Sequence, residues 1–204
     1  MASSDAREKL LTAAEKIIIS QGVSSATLRH IASEAGLNSA LVSYYFSSLS
    51  GLIREVAHQN VALMMKAWEE KSIPLEQAAE VSLAEVMEAC IGPLWISAAF
   101  NPSERALLVL DEVVSHGDDS IRSTIMLDLS ENFDRICALV QKAVPHFPPE
   151  RIRFRMQFVS SGCLGVPPRS AARSLFGNSP PLDGERDRAM RKSVEAAIAC
   201  FAVE

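Results

Sequence analysis

The sequence predicts an all-α protein, with a three-helix N-terminal head on a larger helical body. Three observations lead there. Apolar residues recur at three- and four-residue steps along most of the 204 residues. Proline and glycine fall between these runs, and no period-two run of useful length marks a strand. Residues 22–53, GVSSATLRHIASEAGLNSALVSYYFSSLSGLI, read as two short helices joined by a tight glycine turn.

Taken in order, Ser4 or Asp5 can cap a first helix over Arg7–Ser20, with Leu10, Ala14, Ile17 and Ile18 on its apolar face. Thr27 is a good N-cap for a second helix that buries Leu28, Ile31, Ala32 and Ala35. Gly36 supplies the permissive backbone position after it, and Leu37 turns back into the core. Asn38 caps a third helix, Ser39 to Tyr44, whose inner face is Leu41 and Val42. Small polar residues at its start let the backbone come close to base edges and phosphates, as a helix-turn-helix requires.

Ser47 or Ser48 caps a long fourth helix from Leu49 to about Lys71, with Leu52, Ile53, Val56, Leu63, Met64 and Trp68 inward. Pro74 interrupts the pattern. The next run, Leu75 to Phe100, places Ala79, Leu83, Val86, Met87, Cys90 and Ile91 on one side and breaks at Gly92-Pro93. Asn101-Pro102-Ser103 ends it and caps Glu104–Ser115, which is apolar all round and reads as a surrounded central helix. After the turn His116–Ser120, helices are expected over Ser120–Val144, Glu150–Leu164 and Glu185–Phe201. Residues 165–184 read as loop, with a short helix at Ser170–Phe176.

Composition bounds the function. The net charge is −5, but residues 1–54 hold five Lys/Arg against four Asp/Glu, so the acidity lies in the remainder. A near-neutral head on an acidic body is compatible with groove-specific binding and predicts weak non-specific affinity for DNA. No stretch of about 20 apolar residues suggests a membrane span, and no signal-peptide pattern opens the chain. The four cysteines (Cys90, Cys137, Cys163, Cys200) sit apart in apolar helical runs, which reads as reduced thiols in a cytoplasmic protein.

The stretch from 22 to 53 resembles the DNA-binding domain of the tetracycline-repressor-like (TetR) transcriptional regulators. The shared features are Thr27 opening a helix, IASEAG at Ile31–Gly36, and YYF at Tyr44–Phe46. Gly22 and the apolar first helix fit as well. The likeness covers roughly the first quarter of the chain. One departure stands out: Leu49 occupies the place where the family usually carries a phosphate-contacting Lys, and Ala35 to Ile53 holds no charged residue.

The resemblance implies a DNA-binding domain over 1–54 and a helical effector-binding and dimerisation domain over 55–204. It implies a homodimer on a double-stranded, pseudo-palindromic operator, released by a small-molecule effector. Thr27, Arg29, Tyr44 and Tyr45 would fix the DNA backbone, and Asn38, Ser39, Ala40 and Ser43 would lie nearest the base edges. Met87, Cys90, Trp95, Phe100, Met126 and Phe133 are the expected lining of an effector cavity; the plainer reading is that they fill the core. The last two helices would pair with a second copy, their small residues Ser160, Ser161, Gly162, Ala196 and Ala197 permitting close approach.

Two other classes remain in play. A helical ligand-binding or scaffold protein with lost or weakened DNA binding would explain Leu49 and the uncharged reader. An all-α enzyme rests only on Glu112 and His116, four residues apart; His116 also fits a helix C-terminus. No nucleophile elbow, phosphate loop or zinc signature occurs, and no cofactor is called for.

Overall fold

The helical periodicity is realised along the chain. The computed structural model describes residues 2–165 and 185–202, with side chains over 5–162 and 187–202. These form α1 (Ala2–Gln21), α2 (Leu28–Glu34), α3 (Ala40–Phe46), α4 (Leu49–Gln77), α5 (Leu83–Ile91), α6 (Ala106–His116), α7 (Asp119–Ala143), α8 (Pro149–Gly165) and α9 (Glu185–Ala199). Short 3-10 turns occupy Val23–Ser25 and Gly92–Trp95. Among the described residues the nearest thing to a strand is an isolated bridge between Ser97 and Arg105. The loop and short helix expected within 165–184 fall almost wholly outside the described residues.

Two compact units result: Met1–Leu63 with Ser97–Met126, and Met64–Ile96 with Leu127–Glu204. In the first, α1 packs against α2, α3 and α6. Its core includes Leu10, Ala14, Ile17 and Ile18 of α1, Ile31 and Ala32 of α2, Val42 of α3, and Leu52 and Val56 of α4. Each of the larger side chains contributes about 1.5–3 kcal/mol on full burial. Leu28 departs from expectation. It is 36% exposed, because it opens α2 one turn before the buried face begins at Ile31. Helix α6 is enclosed as its composition predicts, with Ala106 to Leu110, Glu112 and Val113 all buried. It is not capped by Asn101-Pro102-Ser103, however; Arg105 holds the cap position and makes no side-chain capping bond there.

Asn101 is otherwise engaged, in a polar cluster at the centre of this unit. Glu15 and Asn60 are both fully buried. The Asn60 amide donates to Glu15 Oε1 at 2.6 Å and to the Val56 carbonyl at 2.9 Å. Glu15 Oε2 accepts from the Phe100 N–H at 2.9 Å and from Asn101 Nδ2 at 2.7 Å. The Ala99 N–H donates to Asn60 Oδ1 at 3.1 Å. Nearby, the buried Glu112 carboxylate accepts from the Val23 N–H at 3.2 Å.

In the second unit, Pro74 does not end its helix. Helix α4 runs on to Gln77 with Pro74 exposed inside it. Proline deletes one backbone hydrogen bond and crowds the carbonyl four residues earlier, a cost of about 3 kcal/mol. Pro74 stands in the last turn of α4, and Lys142 of α7 holds that end of the helix by donating to the carbonyls of Leu75 at 3.0 Å, Glu76 at 3.2 Å, and Ala78. Arg135 adds an ion pair to Glu76 at 2.9 Å. Ala79, expected on an apolar face, is exposed in the link that follows. Helix α5 therefore starts later than expected, at a capping box in which Ser82 and Glu85 satisfy each other's backbone N–H groups. It packs against α9 and ends at Gly92-Pro93, where the Trp68 indole donates to the Cys90 carbonyl at 2.8 Å.

Replacing Lys142 with Met keeps the aliphatic stem but removes the donors to the end of α4. Charge-assisted bonds are worth about 1.5–3 kcal/mol, so a loss toward the lower end of that range is expected in urea unfolding. Unchanged stability would mean that these bonds do not hold the end of α4.

Candidate nucleic-acid interface

The helix-turn-helix is assembled from its turn outward. Gly36 has φ +65°, a left-handed position that glycine adopts freely. There the Leu37 N–H reaches back to the Ala32 carbonyl at 2.8 Å, and the Gly36 N–H to that of Ser33 at 3.1 Å. This pair of bonds is a Schellman closure of α2. Thr27 caps the other end, its hydroxyl oxygen accepting from the His30 N–H at 3.2 Å. His30 Nδ1 lies 3.0 Å from the Ser25 carbonyl, which places a proton on that nitrogen.

Asn38 Oδ1 accepts from the Ala40 N–H at 2.8 Å and so starts α3, as expected. With Val42 fully buried, Ala40, Ser43 and Tyr44 share the exposed face at three- and four-residue spacing. Asn38 and Ser39 are exposed beside them, as are Thr27 and Arg29 at the start of α2. Tyr44 is 77% exposed. Its ring meets that of Tyr45 edge-on, with centroids 4.9 Å apart, and Tyr45 is half-buried. Of the eight expected DNA-contacting residues, Tyr45 alone is not fully on the surface.

The junction of α3 with α4 carries two constraints that sequence reading missed. Ser47 has φ +63°, the one positive-φ residue other than glycine among the described residues. It forms the centre of a tight turn in which the Ser48 N–H donates to the Phe46 carbonyl at 2.7 Å. Ser48 Oγ then caps α4, accepting from the Gly51 N–H at 3.0 Å. A Cβ on Gly51 would lie 2.2 Å from the Phe46 carbonyl oxygen, so only glycine fits. Together these fix the end of α3 against the first turn of α4.

Charge near this face is sparse. Arg29 is exposed and makes no ion pair among the described residues. Arg7, a candidate for gripping DNA, instead pairs with Glu55 at 2.9 Å and covers the Phe46 ring at 5.3 Å. Hydrogen bonds from Gln59, then from Arg7, hold the Glu55 carboxyl below its ordinary value despite partial burial. Its contribution to stability is therefore complete above the ordinary glutamate range and is lost as pH falls through the lowered value. Lys16 of α1 binds Glu34 of α2 at 2.5 Å and lowers its pKa in the same way. Arg54 is exposed, and its charge helps to hold Asp118 low, after the dominant hydrogen bonds from Ser120.

Residues 10–56 match the family model described as bacterial regulatory proteins, tetR family. The chain carries a TetR-family head. The resemblance read from its motifs is thereby borne out. Solved structures extend the likeness of fold over nearly the whole chain. The TetR family regulator PfmR from Thermus thermophilus superposes with a TM-score of 0.66 at 16% identity, over 94% of this chain and 96% of that one. A TerR/AcrR family regulator from Aquifex aeolicus gives 0.61 at 13%, over 95% and 98%. A protein from Saccharomonospora viridis, solved in complex with choline, gives 0.61 at 17%, over 94% and 95%. No curated protein matches the sequence. Among the described residues, no helix is long and apolar enough to cross a membrane.

The expected effector residues are distributed as follows. Met87 and Cys90 are buried in α5, while Trp95 and Phe133 are half-buried in the same unit. The Arg153 guanidinium covers the Phe133 ring at 5.4 Å. Phe100 and Met126 belong to the first unit, Phe100 half-buried and Met126 47% exposed. Glu112 Oε2 lies 3.6 Å from His116 Nδ1, but that carboxylate is already bound to the Val23 N–H. Among the described residues no cluster of three or more metal-ligating side chains occurs. Between α8 and α9 an apolar recess is lined by Phe158, Val159, Gly162, Ala197 and Cys200.

Two expectations follow from this geometry. Ser47→Gly relieves a backbone strain of about 1–2 kcal/mol and raises the melting temperature, whereas Gly51→Ala lowers it. A reversed order would mean that the junction is not the constraint described. Burial pushes the Cys137 thiol up to about 11. It should therefore resist Ellman's reagent at pH 8 in the native protein and react promptly in denaturant.

Proposed function

We propose that the protein is a ligand-responsive, DNA-binding transcriptional regulator. In this reading it is a repressor that leaves a palindromic operator when a small-molecule effector binds. The observation that carries the proposal is the exposed face Ala40, Ser43 and Tyr44, flanked by Asn38, Ser39, Thr27 and Arg29 on a TetR-family head. Small side chains there admit the helix to a major groove, while Arg29, Thr27 and the tyrosines grip phosphates. We take 1–54 as the DNA-binding domain and 55–204 as the effector-binding and dimerisation domain.

Homodimerisation through α8 and α9 is supported by Phe154 and Phe158, which are 69% and 66% exposed on α8. Large apolar side chains left on a surface beside an apolar recess mark an interaction face. Met87, Cys90, Trp95, Phe100, Met126 and Phe133 remain the proposed effector-binding residues. A relative of the same fold has been solved with choline, which supports a small-molecule ligand without naming it. Helix α4 runs from Leu49 to Gln77, and in this reading it is the element through which effector binding alters the spacing of two heads.

The second reading, a ligand-binding protein that has lost DNA binding, draws on Leu49 and on Arg7, whose charge is committed to Glu55. Fluorescence anisotropy on a duplex from upstream of the protein's own gene, against a scrambled duplex at two salt concentrations, separates the two. Selective binding is expected, with Arg29→Ala and Tyr44→Ala each weakening it roughly tenfold while leaving the dimer folded. Leu49→Lys should tighten binding and steepen its salt dependence. Absence of binding even at low salt would put the second reading first.

A further inference from the structure

The Glu15 cluster has a composition that packing alone does not require. Its carboxylate is fully buried, yet among the described residues every partner it has is neutral: Asn60, Asn101 and the Phe100 N–H. Buried carboxylates are normally paired with a cation. Here the compensation comes from the Asn60 amide of α4 on one carboxylate oxygen and, on the other, from donors of one short segment, Phe100 and Asn101, while the Ala99 N–H holds Asn60 in place. The segment is shaped for this. The Ala98 N–H donates to the Glu104 carbonyl and the Glu104 N–H to that of Asn101, each at 2.9 Å, closing a loop that aims its donors at Glu15 and Asn60.

Such a cluster has two states. Closed, every member is satisfied. Partly open, a carboxylate is left buried without enough donors, which is worse than release to water. Intermediate positions are therefore disfavoured, and a small displacement of residues 99–101 switches the whole set. Phe100 sits where this matters: its ring is an expected effector contact, and its own N–H holds Glu15.

We propose that Glu15, Asn60 and Asn101 form a polar latch that couples the position of residues 99–101 to α1 and α4 of the DNA-binding head. The latch-closed state is the DNA-competent one. The inference rests on the reading of the protein as a DNA-binding regulator, and it adds the element through which that binding is regulated.

The coupling is reciprocal, so DNA must tighten the latch if the latch favours DNA. Residue-resolved hydrogen exchange of the full-length protein, with and without the upstream duplex, reads this directly. Residues 38–45 should gain protection, and the amides of Ala99 and Phe100 should slow about tenfold although they lie on a segment remote in sequence from the reader. In Asn101→Ala, protection at 38–45 should persist and the slowing at Ala99 and Phe100 should fall below about threefold. Protection of 38–45 with unchanged Ala99 and Phe100 rates would reduce the cluster to a static prop and overturn the latch alone. If no duplex protects 38–45, the regulator reading falls and the latch falls with it.

Discussion

The buried carboxylate of Glu15 is the constraint on which the N-terminal unit depends. Taking a carboxylate out of water costs several kcal/mol, and charge-assisted hydrogen bonds return about 1.5–3 kcal/mol each only if all are made. Asn60, Asn101 and the Phe100 N–H make them. Helix α1, the middle of α4 and residues 97–105 must therefore be in register together. This explains why the compact unit that holds the head also contains Ser97–Met126. The second buried carboxylate, Glu112, repeats the device by binding the Val23 N–H at the turn between α1 and α2. The proposed DNA-binding surface is thus positioned by segments far away in sequence.

A head positioned this way can afford a reader with little charge. From Ala35 to Ile53 the chain offers hydroxyls, one amide and aromatic rings, and the exposed cations that flank it are Arg29 and Arg54. Such a surface gains less from counterion release than a basic one and depends more on fit to a groove. The tight junction at Ser47 and Gly51 suits that demand, because it fixes the angle at which α3 is presented. Arg7 serves the same end from behind, bracing Phe46 and Glu55.

Much of this was legible in the sequence, and the reasons differ by element. The Thr27 cap, the Gly36 turn and the Asn38 cap were readable because local chemistry alone determines them. The apolar face of α1 was readable from spacing, and the enclosure of α6 from its all-round apolar composition. Pro74 was misjudged because the helix carries on for only three residues past it, to an end held by Lys142, which is 68 positions away and carries no local signal. The Ser82–Glu85 capping box was overlooked although its S-x-x-E signature is present. Glu15 had a signal too, a charge in line with Leu11 and Ile18 on an apolar stripe, but its partners lie 45 and 86 residues away. The close approach at Gly51 could not be read, since a glycine in a first helical turn looks ordinary until the Phe46 carbonyl is in place.

Hydroxyl-radical footprinting of the protein on its upstream region tests the central claim most directly. A dimer presenting two copies of α3 should protect two patches whose centres lie about 10 base pairs apart, or a multiple of that, along one face of the duplex. A single patch, or uniform weak protection without sequence preference, would contradict the account.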